Sequence, residues 1–314
     1  MQAAMLGKGG FTLNQRDIPE PAAGEVLVKT IGCGVCGGDL HTYRVRDRLP
    51  QEQTLLGHEG TGTIVALGPD VTDFALGQTV TALGGAYADY FVAPTELLAK
   101  VPAEIDPLAA LGEPVACCVH ASERFGVREG DRVAVVGCGF MGLICLQLAR
   151  NQGAGEIIAI DPIPYRREMA ARLGAHRTLH PDEVQVEDPD VGLAQVVIEA
   201  GGVPATLALC TDLVTQHGRI IIIGYHESNE GKRDVDMQRW NFKAIDVVNG
   251  HVRRDDEKHA AMLAGLEMMR AGTLDTAPLI TSYALNDVEQ AFADFGAAKE
   301  GLFKAVLVTG DDVT

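Results

Sequence analysis

The segment "DRVAVVGCGFMG", ending at Gly142, limits the folds open to this chain more than any other. An unbroken apolar run, as expected of a strand buried on both faces of a parallel sheet, meets Gly137, Gly139 and Gly142 in G-x-G-x-x-G spacing. A helical pattern then continues through Leu148, and Asp161 closes the next strand, "EIIAID", 24 residues after the first glycine. Each glycine has its own task. Gly137 makes the tight turn, Gly139 lets backbone approach a pyrophosphate, and Gly142 lets helix and strand pack closely. The helix start, Phe140 and Met141, offers unpaired N–H groups to phosphate. An acid at Asp161 suits a ribose 2′-hydroxyl and repels a 2′-phosphate, which favours NAD(H), although Arg166 and Arg167 could reach a phosphate across the turn.

Beyond this unit, "YRREMAARLGA", "AQVVIEAGG", "GRIIIIGY" (with Gly224 expected at the cofactor) and "AIDVVNG" alternate helix and strand, predicting a doubly wound parallel sheet. Residues 1–124 differ. Short β-branched runs such as "EVLVKTIG", "TGTIVALG" and "ADYFVAP" lie between turn signals and predict an antiparallel, barrel-like region. Toward the C-terminus, Met262, Leu266 and Met269 share a helix face, and Val288, Ala291, Phe292 and Phe295 share another. The expected division is α/β: residues 1–124 and 272–314 form a β-rich domain, and 125–271 the cofactor domain.

The stretch "GCGVCGGDLH" holds Cys33 and Cys36. A structural zinc site needs a second such pair, which the sequence lacks, and a thioredoxin-like pair needs βαβ surroundings. A catalytic metal with three protein ligands remains. The candidates are Cys36, His58 and Glu59 in "LLGHEGTG", and Glu113 in "ALGEPVACCVH", with Asp39 placed to orient a ligand.

Composition excludes several partners. A formal charge of −17 repels nucleic acid and anionic membranes. No signal peptide or membrane span is visible, and seven cysteines scattered through a long chain fit a reducing, cytoplasmic setting.

Taken in order, "GCGVCGGDLHTY", "GHEGTGTIVALGPDV", "GAYADYFVAP", "GEPVACCVHA" and "GCGFMG" resemble the zinc-dependent medium-chain dehydrogenase/reductase family, and the E-P carboxylate resembles its sorbitol and threonine dehydrogenase branch. The resemblance implies a GroES-like domain joined to a Rossmann domain. It gives the catalytic zinc to Cys36, His58 and Glu113, with Glu59 as an acid that can exchange onto the metal. Asp39 becomes the supporting acid, His41 the end of the proton path near the cofactor ribose, Cys117 a neighbour of the nicotinamide, and Cys33 a buried passenger. The implied activity is NAD(H)-linked interconversion of a secondary alcohol, polyol-, sugar- or cyclitol-like, with its ketone, in a homodimer or homotetramer. Two departures stand out. Gly38 occupies the place of a hydroxyl residue that relays the substrate proton, and "TALGGA" replaces a four-cysteine lobe, so one zinc and no structural zinc is expected. A zinc-free quinone or enone reductase and a non-catalytic NAD(H)-binding protein are the competing readings.

Overall fold

The computed structural model describes residues 1–49 and 53–310. Its contacts separate two compact units, Met1–Ala116 with Arg254–Ala271 and Thr276–Thr314, and Cys117–Arg253 with Gly272–Asp275.

The second unit is built on a six-stranded sheet, parallel throughout. In spatial order its strands are Arg177–Leu179, Glu156–Ile160, Arg132–Val136, Ala194–Glu199, Val214–Ile222 and Asp246–Asn249. Numbered along the chain this is the order 3-2-1-4-5-6, which reverses between Arg132–Val136 and Ala194–Glu199. Helices Phe140–Asn151, Pro164–Arg172 and Pro204–Leu213 make the crossovers. The apolar runs are continuous because both faces are covered: Ala134, Val136, Ile158, Val197 and Ile220 are all buried in one cluster.

The first unit is β-rich. A seven-stranded sheet is organised around the long strand Glu25–Gly34, which pairs antiparallel with Gly60–Leu67, Tyr90–Pro94 and Lys304–Val308. The C-terminal strand thus lies beside a strand from the start of the chain. Its other neighbour, Ile280–Ala284, is parallel to it. Alternation fills two cores, one around Val26, Val28, Ile64, Val80 and Phe91, the other around Val35, Tyr87, Phe292 and Leu307.

Helix Asp255–Arg270 belongs to this unit, whereas its sequence position had grouped it with the cofactor domain. The cause is specific packing. Met262 reaches into the space left by the missing side chain of Gly112, where a Cβ would lie 2.5 Å from its sulfur, and the His259 ring bonds the Leu98 carbonyl at 2.9 Å. Residues 117–124, expected in the β-rich domain, group with the second unit.

Candidate active site

Strand Glu25–Gly34 delivers the chain to Cys36, which caps helix Gly37–Arg44, its sulfur accepting from the Gly38 N–H at 3.4 Å. His58 and Glu59 sit on the connection between Thr54–Leu55 and Gly60–Leu67. Gly57 turns that connection with φ +105°, and a side chain on it would press within 2.8 Å of the Tyr87 backbone nitrogen. Gly34 has a similar duty, since a Cβ there would stand 2.1 Å from Glu59 Oε2. These close approaches bring one donor atom each from Cys36, His58 and Glu59 within 4.8 Å of one another.

Asp39 and Lys304 supply the buried polar surroundings of this cluster. Asp39, buried, accepts a 2.5 Å hydrogen bond from the Tyr87 hydroxyl through one oxygen and places the other 3.6 Å from His58 Nδ1. Burial pushes the Tyr87 phenol well up, aided by the charge of Asp39, so it remains a donor. Glu59 is almost wholly buried against an equally buried Lys304, whose ammonium donates to Oε1 at 2.7 Å and to the Val35 carbonyl at 3.0 Å. Glu59 Oε2 has only an ionic contact with that ammonium and no hydrogen-bond donor. Burial raises the Glu59 carboxyl, Lys304 offsets part of this, and the charge of Glu113 adds to it. Burial pulls Lys304 down, but Glu59, Cys36 and Glu113 outweigh it, so the ammonium stays charged.

His58 is raised to about 9, chiefly by its hydrogen bond to Cys36, with desolvation opposing and Asp39 assisting. In the metal-free protein this is a protonated imidazole against sulfur. The donor set fits zinc: thiolate, imidazole and carboxylate are its ordinary ligands, and Glu59 brings to the cluster a buried carboxylate with one oxygen that accepts no hydrogen bond.

Glu113 stands at the start of helix Gly112–Ser122 and is engaged differently. Its Oε1 accepts from Lys258 Nζ at 2.9 Å, both side chains largely buried, and it does not join the 4.8 Å cluster. Its charge is nevertheless felt by Glu59 and by Lys304. His41 is half-buried on the helix after Cys36, where Thr42 donates to the Gly38 carbonyl at 3.1 Å. The space beside Gly38 is open: a Cβ at that position would meet only the Cys36 sulfur, at 3.8 Å. Cys33 is fully buried in the apolar core and its thiol is pushed far up by burial, which leaves it inert. Lys304, Tyr87 and Lys258 were not foreseen. Only Lys304 gave a sequence signal, as a lone charge inside the apolar strand "FKAVLV".

The second unit carries a cavity of about 340 Å³ lined by Gly137, Gly139, Asp161, Arg166, Ala200 and Gly201, among others. It lies at the reversal of strand order, where open α/β sheets take their ligands. Gly137 adopts φ +98°, and a Cβ on Gly142 would stand 1.9 Å from the Gly137 carbonyl oxygen. Gly139 faces open space, so its bareness serves the cavity and not the protein's own packing. Phe140 is buried at the helix start and Met141 half-buried behind it. Asp161 accepts from the Cys138 N–H at 2.8 Å through one oxygen and from Ile163 N–H at 2.9 Å through the other, which ties the carboxylate to the glycine loop and leaves lone pairs for a further donor. Arg166 approaches it at 3.8 Å. Gly224 does not line this cavity. It packs against Gly202 and buried Glu199, with which its backbone is hydrogen-bonded. Cys117 is half-buried one turn after Glu113 on the same helix. Among the described residues no helix is long and apolar enough to cross a membrane.

Comparison with known proteins bears on both units. Residues 22–103 match the model of the alcohol dehydrogenase GroES-like domain, and residues 141–266 that of the zinc-binding dehydrogenase. An L-threonine 3-dehydrogenase from Paraburkholderia phymatum is 26% identical over 331 residues, covering 93% of this chain and 94% of its own. Among solved structures, an alcohol dehydrogenase from Thermus sp. ATN1 superposes with a TM-score of 0.85 at 25% identity, covering 99% of this chain and 100% of that one. A zinc-binding dehydrogenase of Sinorhizobium meliloti 1021 bound to NADP gives 0.86 at 25% identity, covering 98% of each chain.

Proposed function

The chain belongs to the zinc-dependent medium-chain dehydrogenase/reductase family, and from that premise we propose that it interconverts a polyol-, sugar- or cyclitol-like secondary alcohol with its ketone. The coarser statement stands on the comparisons: it is an alcohol dehydrogenase-type enzyme acting on a small alcohol or ketone, with zinc and NAD(H) as cofactors. The proposal concerns substrate, residues and route. Its main support is the convergence of Cys36, His58 and Glu59 donors within 4.8 Å inside the GroES-like unit.

In this reading Cys36, His58 and Glu113 hold a single zinc, and Glu59 is the alternate carboxylate. When bound, zinc supplies Lewis acidity to the substrate hydroxyl, and the nicotinamide accepts hydride. The chain's residues do the rest. Asp39, fixed by Tyr87, orients the His58 imidazole. Lys304 holds Glu59 in place and offsets part of the upward push of burial on its carboxyl. Asp161, Phe140, Met141 and the three glycines hold the dinucleotide, with Cys117 toward the nicotinamide. With no hydroxyl at Gly38, the substrate proton leaves through water in the open space beside it to His41. Seven free cysteines support work in the cytoplasm. Assembly into a homodimer or homotetramer completes the proposal.

The test is NADH formation across a panel of secondary alcohols, with and without a chelator. Chelator-sensitive oxidation of polyols supports the reading. Oxidation indifferent to metal removal contradicts it.

A further inference from the structure

Strand Ala194–Glu199 ends on a carboxylate that is shut away from water. The Glu199 side chain is fully buried, one residue before Ala200 of the dinucleotide cavity's lining. Its Oε1 accepts from the N–H groups of Gly201 at 3.1 Å and Gly202 at 2.8 Å, and from the Thr206 hydroxyl. Gly201 and Thr206 also line the cavity. Gly201 further abuts the glycine loop, since a Cβ on Gly137 would stand 2.7 Å from its nitrogen. One buried acid thus fixes a wall of the cofactor cavity.

The other oxygen leads away from the cavity. Glu199 Oε2 lies 2.9 Å from His226 Nε2, and His226 Nδ1 accepts from Arg233 Nε at 2.8 Å. A guanidinium only donates and a carboxylate only accepts, so a single tautomer, with hydrogen on Nε2, satisfies both. Arg233 then returns to the start: its Nη2 donates to the Gly202 carbonyl at 3.2 Å. Glu199, His226, Arg233 and Gly202 form a closed circuit that ties residues 225–233 to residues 200–206. The two loops touch backbone to backbone, since a Cβ on Gly202 would meet the Tyr225 carbonyl oxygen at 2.8 Å. On the outer loop Asn229 and Glu230 hold left-handed φ of 53° and 54°, a conformation that non-glycine residues keep where the surroundings impose it. Yet none of residues 225–233 lines the cavity.

We infer that His226 and Arg233 are positioning residues for NAD(H). Acting through Glu199 and Gly202, they hold the cavity wall at the spacing the dinucleotide needs, so cofactor affinity depends on a loop outside the cavity. The reason lies in the shared acceptor. Without the His226 donor, a buried charge is left with one bare oxygen and must turn to find another partner. Gly201, Gly202 and Thr206 depend on the same carboxylate and move with it.

The experiment measures NADH binding calorimetrically on the zinc-loaded enzyme, with zinc content and cofactor-free melting temperature as controls. His226→Phe keeps a ring and loses both hydrogen bonds. It is expected to raise the NADH Kd about 10–100-fold, the worth of one hydrogen bond to a charged group. The KM for NAD should rise in step, kcat at saturating NAD should change far less, and zinc should be retained. His226→Gln, whose amide can both donate to Glu199 and accept from Arg233, should recover most of the affinity. Arg233→Met should weaken NADH binding as well, and the double variant His226→Phe/Arg233→Met should be no weaker than the worse single one, as expected of one circuit. A lowered melting temperature with an unchanged NADH Kd, or fully additive losses in the double variant, overturns the inference. If His226→Phe does not fold, His226→Gln and Arg233→Met carry the test, and equal NADH affinity in the two overturns it. Wild type that retains zinc but binds no NADH overturns the dehydrogenase reading and this inference with it.

Discussion

Lys304 and Glu59 form a buried ion pair across most of the sequence, the ammonium 2.7 Å from Oε1 and both side chains at 6% exposure or less. Removing one partner strands the other's charge away from water. Lys304→Met is therefore expected to cost about 3–5 kcal/mol in denaturant unfolding, while Lys304→Met combined with Glu59→Gln recovers much of the loss. Equal destabilisation by single and double variants would contradict the pairing.

Tyr87 acts at one remove from the metal. Tyr87→Phe takes the 2.5 Å hydrogen bond from buried Asp39, which then holds His58 less firmly. The expected cost is about 1–3 kcal/mol of stability. Zinc affinity, measured by chelator competition, should fall about 10–100-fold, as when a ligand's supporting partner is lost.

The fingerprint glycines separate into two kinds. A Cβ on Gly142 collides with the Gly137 carbonyl oxygen, so Gly142→Ala should lower stability by about 1–3 kcal/mol with or without cofactor. Gly139 faces open space, so Gly139→Ala should fold normally and weaken only NAD(H) binding. Thermal melts with and without NADH distinguish the two outcomes.

How far this was readable from sequence follows from where each signal lies. The glycine spacing, the apolar strand before it and Asp161 sit within one βαβ segment, and their geometry is local. Strand runs such as "EVLVKTIG" and "AQVVIEAGG" carry their periodicity in themselves and appear as Glu25–Gly34 and Ala194–Glu199. Helix Asp255–Arg270 has an amphipathic face that suits either unit, and only Gly112 and Leu98, far away in sequence, decide which one it covers. The partners of the acids were hidden for the same reason. Nothing near Glu59 or Glu113 announces Lys304 or Lys258, because those pairs exist only after strand pairing and helix docking.

The metal-free site has a pH signature. His58 is raised to about 9 by its bond to Cys36, above the ordinary imidazole value near 6.5. A raised value means that the pair's contribution to stability is complete below about pH 6.5 and is lost as pH climbs through about 9. Melting temperatures of the chelated protein should fall across that window, whereas zinc-loaded protein, with His58 already deprotonated on the metal, should not show this fall.

The central claim is that one zinc is gripped by the Cys36 sulfur and the His58 imidazole together with a carboxylate. Elemental analysis of the purified wild type beside Cys36→Ala and His58→Ala tests it most directly. The account predicts one zinc per chain in the wild type and none above background in either variant. Zinc retained at full stoichiometry by both variants would contradict it.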